Sequence, residues 1–210
     1  MEGMKLISQG AEAKIFLDEG RNLIVKDRIA KSYRHPELDK RLRKRRTKSE
    51  KKILKSSREL AGVNVPEVKD SEDFDRIYMD FVEGKRLSEH LDGFELERQK
   101  EFMKEVGRMI ARIHSREIIH GDLTTSNLVL KPSEEIYLID FGLGSFSKKL
   151  EDKAVDLRLF KQAIEAKHFE NFDELFEQVL EGYKEISEEA GKVIERMKRV
   201  ENRRRYKQGS

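Results

Sequence analysis

Two polar segments set among apolar residues constrain this chain more than any other feature: IIHGDLTTSNLVL at 118–130 and LIDFGLG at 138–144. The first places His120, Asp122 and Asn127 between an Ile-Ile pair and a Leu-Val-Leu run. The second ends an apolar run on Asp140, followed by Phe141 and Gly142. Asp140 lies 140 − 122 = 18 positions after Asp122, with strand-like runs at 128–130 and 136–139 between them. A carboxylate and a carboxamide five positions apart, between two apolar segments, suit either a polar turn or a loop that holds a metal-bound phosphate.

The rest of the chain limits where such a loop can sit. Its 210 residues fit one domain or two small lobes sharing a cleft. Hydrophobic residues make up 37%, enough for a modest core. There is no cysteine, which excludes disulfides and thiolate metal sites and points to a reducing compartment. No apolar run approaches the ~18 residues of a membrane span, and MEGMKLISQG lacks a signal-peptide core, so a cytoplasmic location is expected. Net charge is only +3, but residues 40–48, KRLRKRRTK, are basic at seven of nine positions, and the end of the chain is basic again. Each run alone reads as a solvated helix face; two together favour an acidic or nucleic-acid partner.

Strands are expected at 4–8, 13–17 and 23–27, separated by glycine-containing turns. Pro36 opens a long charged helix reaching about Leu60, with Glu37 and Asp39 in its first turn. Val65-Pro66 breaks the chain, and 76–82 reads as another strand. Residues 96–116 place Phe102, Val106, Met109, Ile110 and Ile113 at helical spacing. The organisation expected is a strand-rich unit with one long basic helix (1–82), a helical unit (83–198) and a basic tail (199–210), with a cleft between the first two.

HGDLTTSN followed by DFG resembles the catalytic loop and metal-binding segment of protein kinases. The resemblance implies an α+β, minimal bilobal kinase-like fold that binds ATP and Mg²⁺. Hard oxygen ligands must hold a magnesium ion against the phosphates, which assigns Asp140 and Asn127 to the metal and leaves Asp122 to orient an attacking hydroxyl or water. Taken singly, Asp140 would be a strand-end turn, Asn127 an Asx-turn residue, and His120 a structural histidine that braces the loop. The same resemblance asks for a strand lysine and a helix glutamate. Lys26 in NLIVKD is the candidate, with Lys31 a rival; Glu50 lies where the long helix first turns apolar, beside Ile53 and Leu54. Ser8, Gln9, Gly10 and Ala11 occupy the place of the phosphate loop, with one glycine where the usual pattern has three. Met79 and the stretch Asp80, Phe81, Val82 occupy the place of the hinge that offers backbone groups to adenine.

Three departures bear on function. Gly121 stands where most protein kinases carry arginine, and Thr124 where a lysine usually reaches the transferred phosphate. Only 210 − 142 = 68 residues follow Gly142, and no Ala-Pro-Glu element appears, leaving little room for a peptide-docking platform. Asp156 in EDKAVDL is expected either to bond back to the catalytic loop or to sit on a helix surface.

ISQGAEAKIF, KSYRHPELDKRLRKRRTKSE, HGDLTTSNLVL and IDFGLGSFSKKLEDKAVDL together resemble the small atypical kinase/ATPase subunit of the KEOPS complex. The resemblance covers almost the whole chain and implies an ATPase and weak Ser/Thr kinase that supports threonylcarbamoyladenosine formation at tRNA position 37. It also implies partners: a transferase subunit at the helical lobe and tail, and a small subunit on the first lobe. tRNA itself is a candidate for the runs 40–48 and 199–207. The alternatives are a phosphotransferase acting on an aminoglycoside or small alcohol, and a nucleotide-sensing scaffold without turnover.

Overall fold

A computed structural model of the chain describes residues 3–208, and the side chains of residues 3–201. Three antiparallel strands come first: β1 (Met4–Gln9), β2 (Ala13–Asp18) and β3 (Leu23–Arg28). Helix α1 (Pro36–Glu59) follows, and then β4 (Val68–Lys69) and β5 (Arg76–Asp80) complete a five-stranded sheet in the order β1-β2-β3-β5-β4. Pro36 opens α1 as the sequence suggests, since its missing N–H is unneeded in a first turn. Glu50, Ile53, Leu54 and Ser57 are buried on α1, and their spacing presents one face to the sheet. The fold class is α+β and kinase-like.

The strand expected at 76–82 ends at Asp80; residues 81–84 connect it to β6 (Lys85–Arg86) and the single turn α2 (Leu87–His90). α3 (Leu96–Ser115) buries the expected apolar stripe together with Met103. After β7 (Ile118–Ile119) comes the Asp122 loop, which closes in a 3-10 turn at Thr125–Asn127. β8 (Leu128–Leu130) and β9 (Ile136–Leu138) form a hairpin, with β6 on its outer edge. β10 (Ser145–Phe146) then pairs back with β7. α4 (Leu150–Lys167), α5 (Phe172–Ile186) and α6 (Ala190–Gln208) finish the chain, with α5 packed along α3 and α6 along α4. Residues 199–208, expected as a tail, continue helix α6; the last two residues of that expected tail lie outside the described residues.

The sequence block YRHPELD serves to fasten α1. Asp39 is almost fully buried. Its carboxylate accepts the Lys31 N–H at 3.3 Å and Arg43 Nε at 2.8 Å, and lies 3.5 Å from the Arg34 guanidinium. Of the basic run 40–48, Arg43 also pairs with Asp75, and Arg46 with Glu12. Arg41, Lys44, Arg45 and Lys48 are exposed and have no ion pair among the described residues.

Candidate functional site

A cleft of about 460 Å³ opens between the five-stranded sheet and the β8–β9 hairpin. β3 delivers Lys26 to it, α1 Glu50, and the end of the hairpin Asp140 and Asn127. Lys26 Nζ donates to Glu50 Oε1 at 2.7 Å and to Asp140 Oδ1 at 2.6 Å, the latter across 114 positions of sequence. Burial works against the Lys26 ammonium, but the charges and hydrogen bonds of Glu50 and Asp140 outweigh it and hold its pKa above the usual lysine value. Burial likewise works to raise the Asp140 carboxyl, yet Lys26 and the Gly142 N–H hold it below the ordinary carboxylate value. Lys31, the rival lysine, instead donates to the Ala11 carbonyl at the rim.

Asp140 has φ 62°, a left-handed conformation that costs a non-glycine residue about 1–3 kcal/mol. It is held there by Lys26 and by the Gly142 N–H, which donates to Oδ1 at 3.0 Å. That backbone turn is what aims the carboxylate into the cleft.

Asn127 Nδ2 donates to the Asp122 carbonyl at 2.9 Å and to its Oδ2 at 3.2 Å. Asn127 lines the cleft and its amide oxygen has no hydrogen bond among the described residues, whereas the exposed Asp122 carboxylate, held by Asn127, is not among the cleft-lining residues. His120 is fully buried and braces this loop. Its Nδ1 accepts the Asp122 N–H at 3.2 Å, and its Nε2–H donates to the Ile139 carbonyl at 3.1 Å, a neutral tautomer. Burial pushes the His120 pKa below the ordinary histidine value, against the opposing pull of Asp156. Asp156 takes the loop-facing alternative: it is buried on α4 and accepts the His120 and Gly121 N–H groups.

Gly121, in the place of the usual arginine, has φ 81°, and a Cβ there would meet the Leu143 carbonyl oxygen at 2.5 Å. The position admits glycine for steric reasons, so no side chain is available to engage a phosphorylated segment. Seven residues, 143–149, separate Gly142 from α4, and part of them is pinned as β10.

The remaining assigned positions divide. Ser8, Met79, Asp80, Phe81 and Val82 line the cleft. Gln9, the last residue of β1, and Gly10 and Ala11, in the turn to β2, are not among its lining residues, which departs from the phosphate-loop expectation; the Gly10 N–H is already used on the Ala13 carbonyl at 3.0 Å. The Asp80 and Phe81 N–H groups are spent on Glu67 and Asn22 carbonyls, whereas the Val82 N–H has no hydrogen bond among the described residues. Arg28 was missed by the sequence reading. Its guanidinium donates to Glu50 Oε2 at 2.5 Å, and the only signal for it is the two-residue spacing from Lys26 that puts both on one face of β3.

A β-strand lysine paired with a helix glutamate, an Asp-Phe-Gly turn and an Asp/Asn loop on one cleft define the protein-kinase class, and residues 5–158 match the family model described as Protein kinase domain. The chain is 45% identical to the KEOPS complex subunit Bud32 of Pyrococcus abyssi (strain GE5 / Orsay) over 218 residues, covering 99% of this chain and 98% of that one. It is also 39% identical over 204 residues to a probable bifunctional tRNA threonylcarbamoyladenosine biosynthesis protein of Methanocaldococcus jannaschii, covering 96% of this chain and 37% of that protein. A protein of the same description from Methanobrevibacter smithii is 40% identical over 205 residues, and this chain covers 36% of it. The chain thus belongs to the family of the KEOPS kinase-like subunit, and it spans little more than a third of the bifunctional relatives.

Proposed function

We propose that the cleft binds ATP with Mg²⁺ and that the protein is an ATPase and atypical Ser/Thr protein kinase of the KEOPS complex. In this reading it supports threonylcarbamoyladenosine formation at tRNA position 37 through a partner transferase. The observation that carries the catalytic part is the Lys26–Asp140 contact at 2.6 Å, which brings the strand lysine and the turn carboxylate to one point on the cleft.

The donor set fits magnesium. Asp140 and Asn127 offer hard oxygens on the same wall. Among the described residues no three His, Cys, Asp or Glu side chains cluster to hold an ion alone, so the remaining ligands would come from phosphate and water. When bound, the metal would neutralise phosphate charge and fix the geometry of transfer. Lys26 would bind the phosphates while Glu50 holds it, and Asp122 would orient the attacking hydroxyl or water. Val82 would donate its N–H to the adenine edge, with Met79 packed deeper in the cleft.

The system-level part rests on the relatives. The Pyrococcus relative is named a KEOPS subunit, and the bifunctional relatives are named for threonylcarbamoyladenosine biosynthesis. A kinase-like stretch occupying 37% of a bifunctional chain supports direct cooperation with a second activity. The seven-residue run before α4 supports hydrolysis coupled to a partner over docking of peptide substrates. In this reading the transferase contacts the helical lobe and α6, and a smaller subunit contacts the sheet lobe. RNA contacts the exposed cations of 40–48 and the basic end at 199–207. The test is ATP hydrolysis by the chain alone, then with the transferase, then with tRNA. Turnover should rise stepwise, and Asp140→Ala should abolish it, because a metal's charge stabilisation is worth several kcal/mol and each ~1.4 kcal/mol is tenfold. Full turnover by Asp140→Ala, with both partners present, overturns the assignment.

A further inference from the structure

Glu50 carries two cations, one more than the kinase pairing needs. Oε1 accepts from Lys26 at 2.7 Å and Oε2 from Arg28 at 2.5 Å. Arg28 is 4% exposed, and its Nε is buried without a hydrogen-bond partner among the described residues. Its backbone N–H is fixed on the Asp75 carbonyl at 3.0 Å, which pins this end of β3. Lys26 in turn reaches Asp140, giving a chain of alternating charge, Arg28–Glu50–Lys26–Asp140.

Desolvating a guanidinium is expensive, and leaving one of its donors unpaired adds to the cost. With Lys26 shared by Glu50 and Asp140, Arg28 supplies the second cation of a balanced set, and its role changes when the cleft fills. The difference arises when Asp140 turns to a metal. Lys26 then exchanges a carboxylate for a highly charged phosphate, and Glu50 shares its one lysine with the ligand. Arg28 is always charged and lies behind Glu50, away from the cleft lining. Its bond to Glu50 is therefore independent of what occupies the cleft.

We propose that Arg28 is a positioning residue: it holds the Glu50 carboxylate to β3 so that Lys26 can pass from Asp140 to the phosphates of a bound magnesium-nucleotide. The proposal rests on the nucleotide reading of the cleft. It separates a permanent pair, Arg28–Glu50, from an exchanging one, Lys26–Asp140.

The test compares Arg28→Met, Arg28→Lys and Lys26→Met with the original full chain, alone and as the Arg28→Met/Lys26→Met double variant. Calorimetric binding of a non-hydrolysable ATP analogue with Mg²⁺ is measured beside thermal unfolding. Arg28→Met should weaken binding roughly tenfold or more, the scale of one buried hydrogen bond to a charged group. Arg28→Lys should recover most of that loss. The double variant should bind no worse than Lys26→Met, because Arg28 acts through Lys26. Additive losses overturn the proposal, as does an Arg28→Met protein that melts earlier but binds with unchanged affinity. Should Arg28→Met fail to fold, Arg28→Gln, which removes the charge that holds Glu50 while keeping a polar group beside it, takes its place: binding should weaken in the same direction, and unchanged affinity overturns the proposal. If Lys26→Met and Asp140→Ala both bind the analogue as the original does, the cleft reading itself falls and takes this proposal with it.

Discussion

Asp156 Oδ2 accepts the His120 N–H at 2.8 Å, and through that bond helix α4 holds the loop carrying Asp122. Oδ1 accepts the next amide, Gly121 N–H, at 2.9 Å. His114 Nε2 lies 3.1 Å from Oδ2, and His114 Nδ1 lies 3.0 Å from the Tyr183 hydroxyl, extending the network to α5. Asp156 is 1% exposed, and the two loop amides and His114 Nε2 converge on its carboxylate. Asp156→Ala leaves two buried amides without an acceptor and should cost about 3–5 kcal/mol in urea unfolding. A loss below ~1 kcal/mol would show that water replaces the carboxylate freely.

The same network sets an acid limit. Burial works to raise the Asp156 carboxyl, but His114, His120 and the His120 N–H hold it below the ordinary value. A depressed carboxyl contributes stability above its unfolded pKa, about 3.9, and loses it as pH falls through the folded value. His120 behaves in the same sense from a higher starting point. Burial depresses its folded pKa below 6.5, so its contribution is whole above that pH and shrinks on acidification. The unfolding midpoint should therefore decline between about pH 7 and 5, before any carboxylate is involved. His120→Asn should flatten that part of the curve while lowering stability overall. An unchanged slope in this variant would mean that His120 binds its proton equally well folded and unfolded.

The sequence carried the strands and the long helices because their signals are local. Lys26 is legible because NLIVKD resembles the lysine-bearing strand of protein kinases, with Ile24 and Lys26 on one face, and Glu50 because Ile53 and Leu54 mark the inward face of α1. Asp122, Asn127 and Asp140 are legible because HGDLTTSN and DFG, in that order and spacing, resemble the protein-kinase motifs. What escaped depends on tertiary approach. β4, β6, β7 and β10 are two residues long, and pairing with distant strands creates them rather than any propensity of their own. His168 is buried between Asp92 at 2.6 Å and Thr125 at 3.1 Å, partners 76 and 43 positions away that no local pattern announces. Arg28 reads as one more surface cation until Glu50 is placed beside it.

Gly107 and Gly182 belong with those hidden positions. Both lie inside helices, where glycine costs about 1 kcal/mol against alanine, so each reads locally as a weak point. In the fold they are where α3 and α5 touch. A Cβ on Gly107 would meet the Val179 carbonyl oxygen at 2.1 Å, and one on Gly182 the Lys104 carbonyl oxygen at 1.9 Å. Backbone cannot yield as a side-chain tip can, so the helices must separate. Gly107→Ala or Gly182→Ala should lose about 1–3 kcal/mol from overpacking, despite alanine's better helix propensity. Chemical denaturation decides this, and a stabilised variant would mean the helices are free to slide apart.

The basic run of α1 is divided by its partners, and that division makes the proposed RNA contact testable. Arg43 and Arg46 are committed to Asp39, Asp75 and Glu12, whereas Arg41, Lys44, Arg45 and Lys48 share one solvent face at helical spacing. Phosphate contacts show themselves in salt dependence: log K against log salt has a slope of about −0.9 per contact on duplex and about −0.7 on single strands. Replacing all four exposed cations with glutamine should therefore reduce the slope for tRNA binding by about 3 to 4 and weaken binding most at low salt. Arg43→Gln and Arg46→Gln should instead lower thermal stability and leave the slope nearly unchanged, since their charges are already neutralised within the fold. Filter binding across roughly 50–200 mM salt distinguishes the two groups. Equal slopes for the original protein and the fourfold variant would mean that this face is merely solvated, and that any RNA contact is made elsewhere.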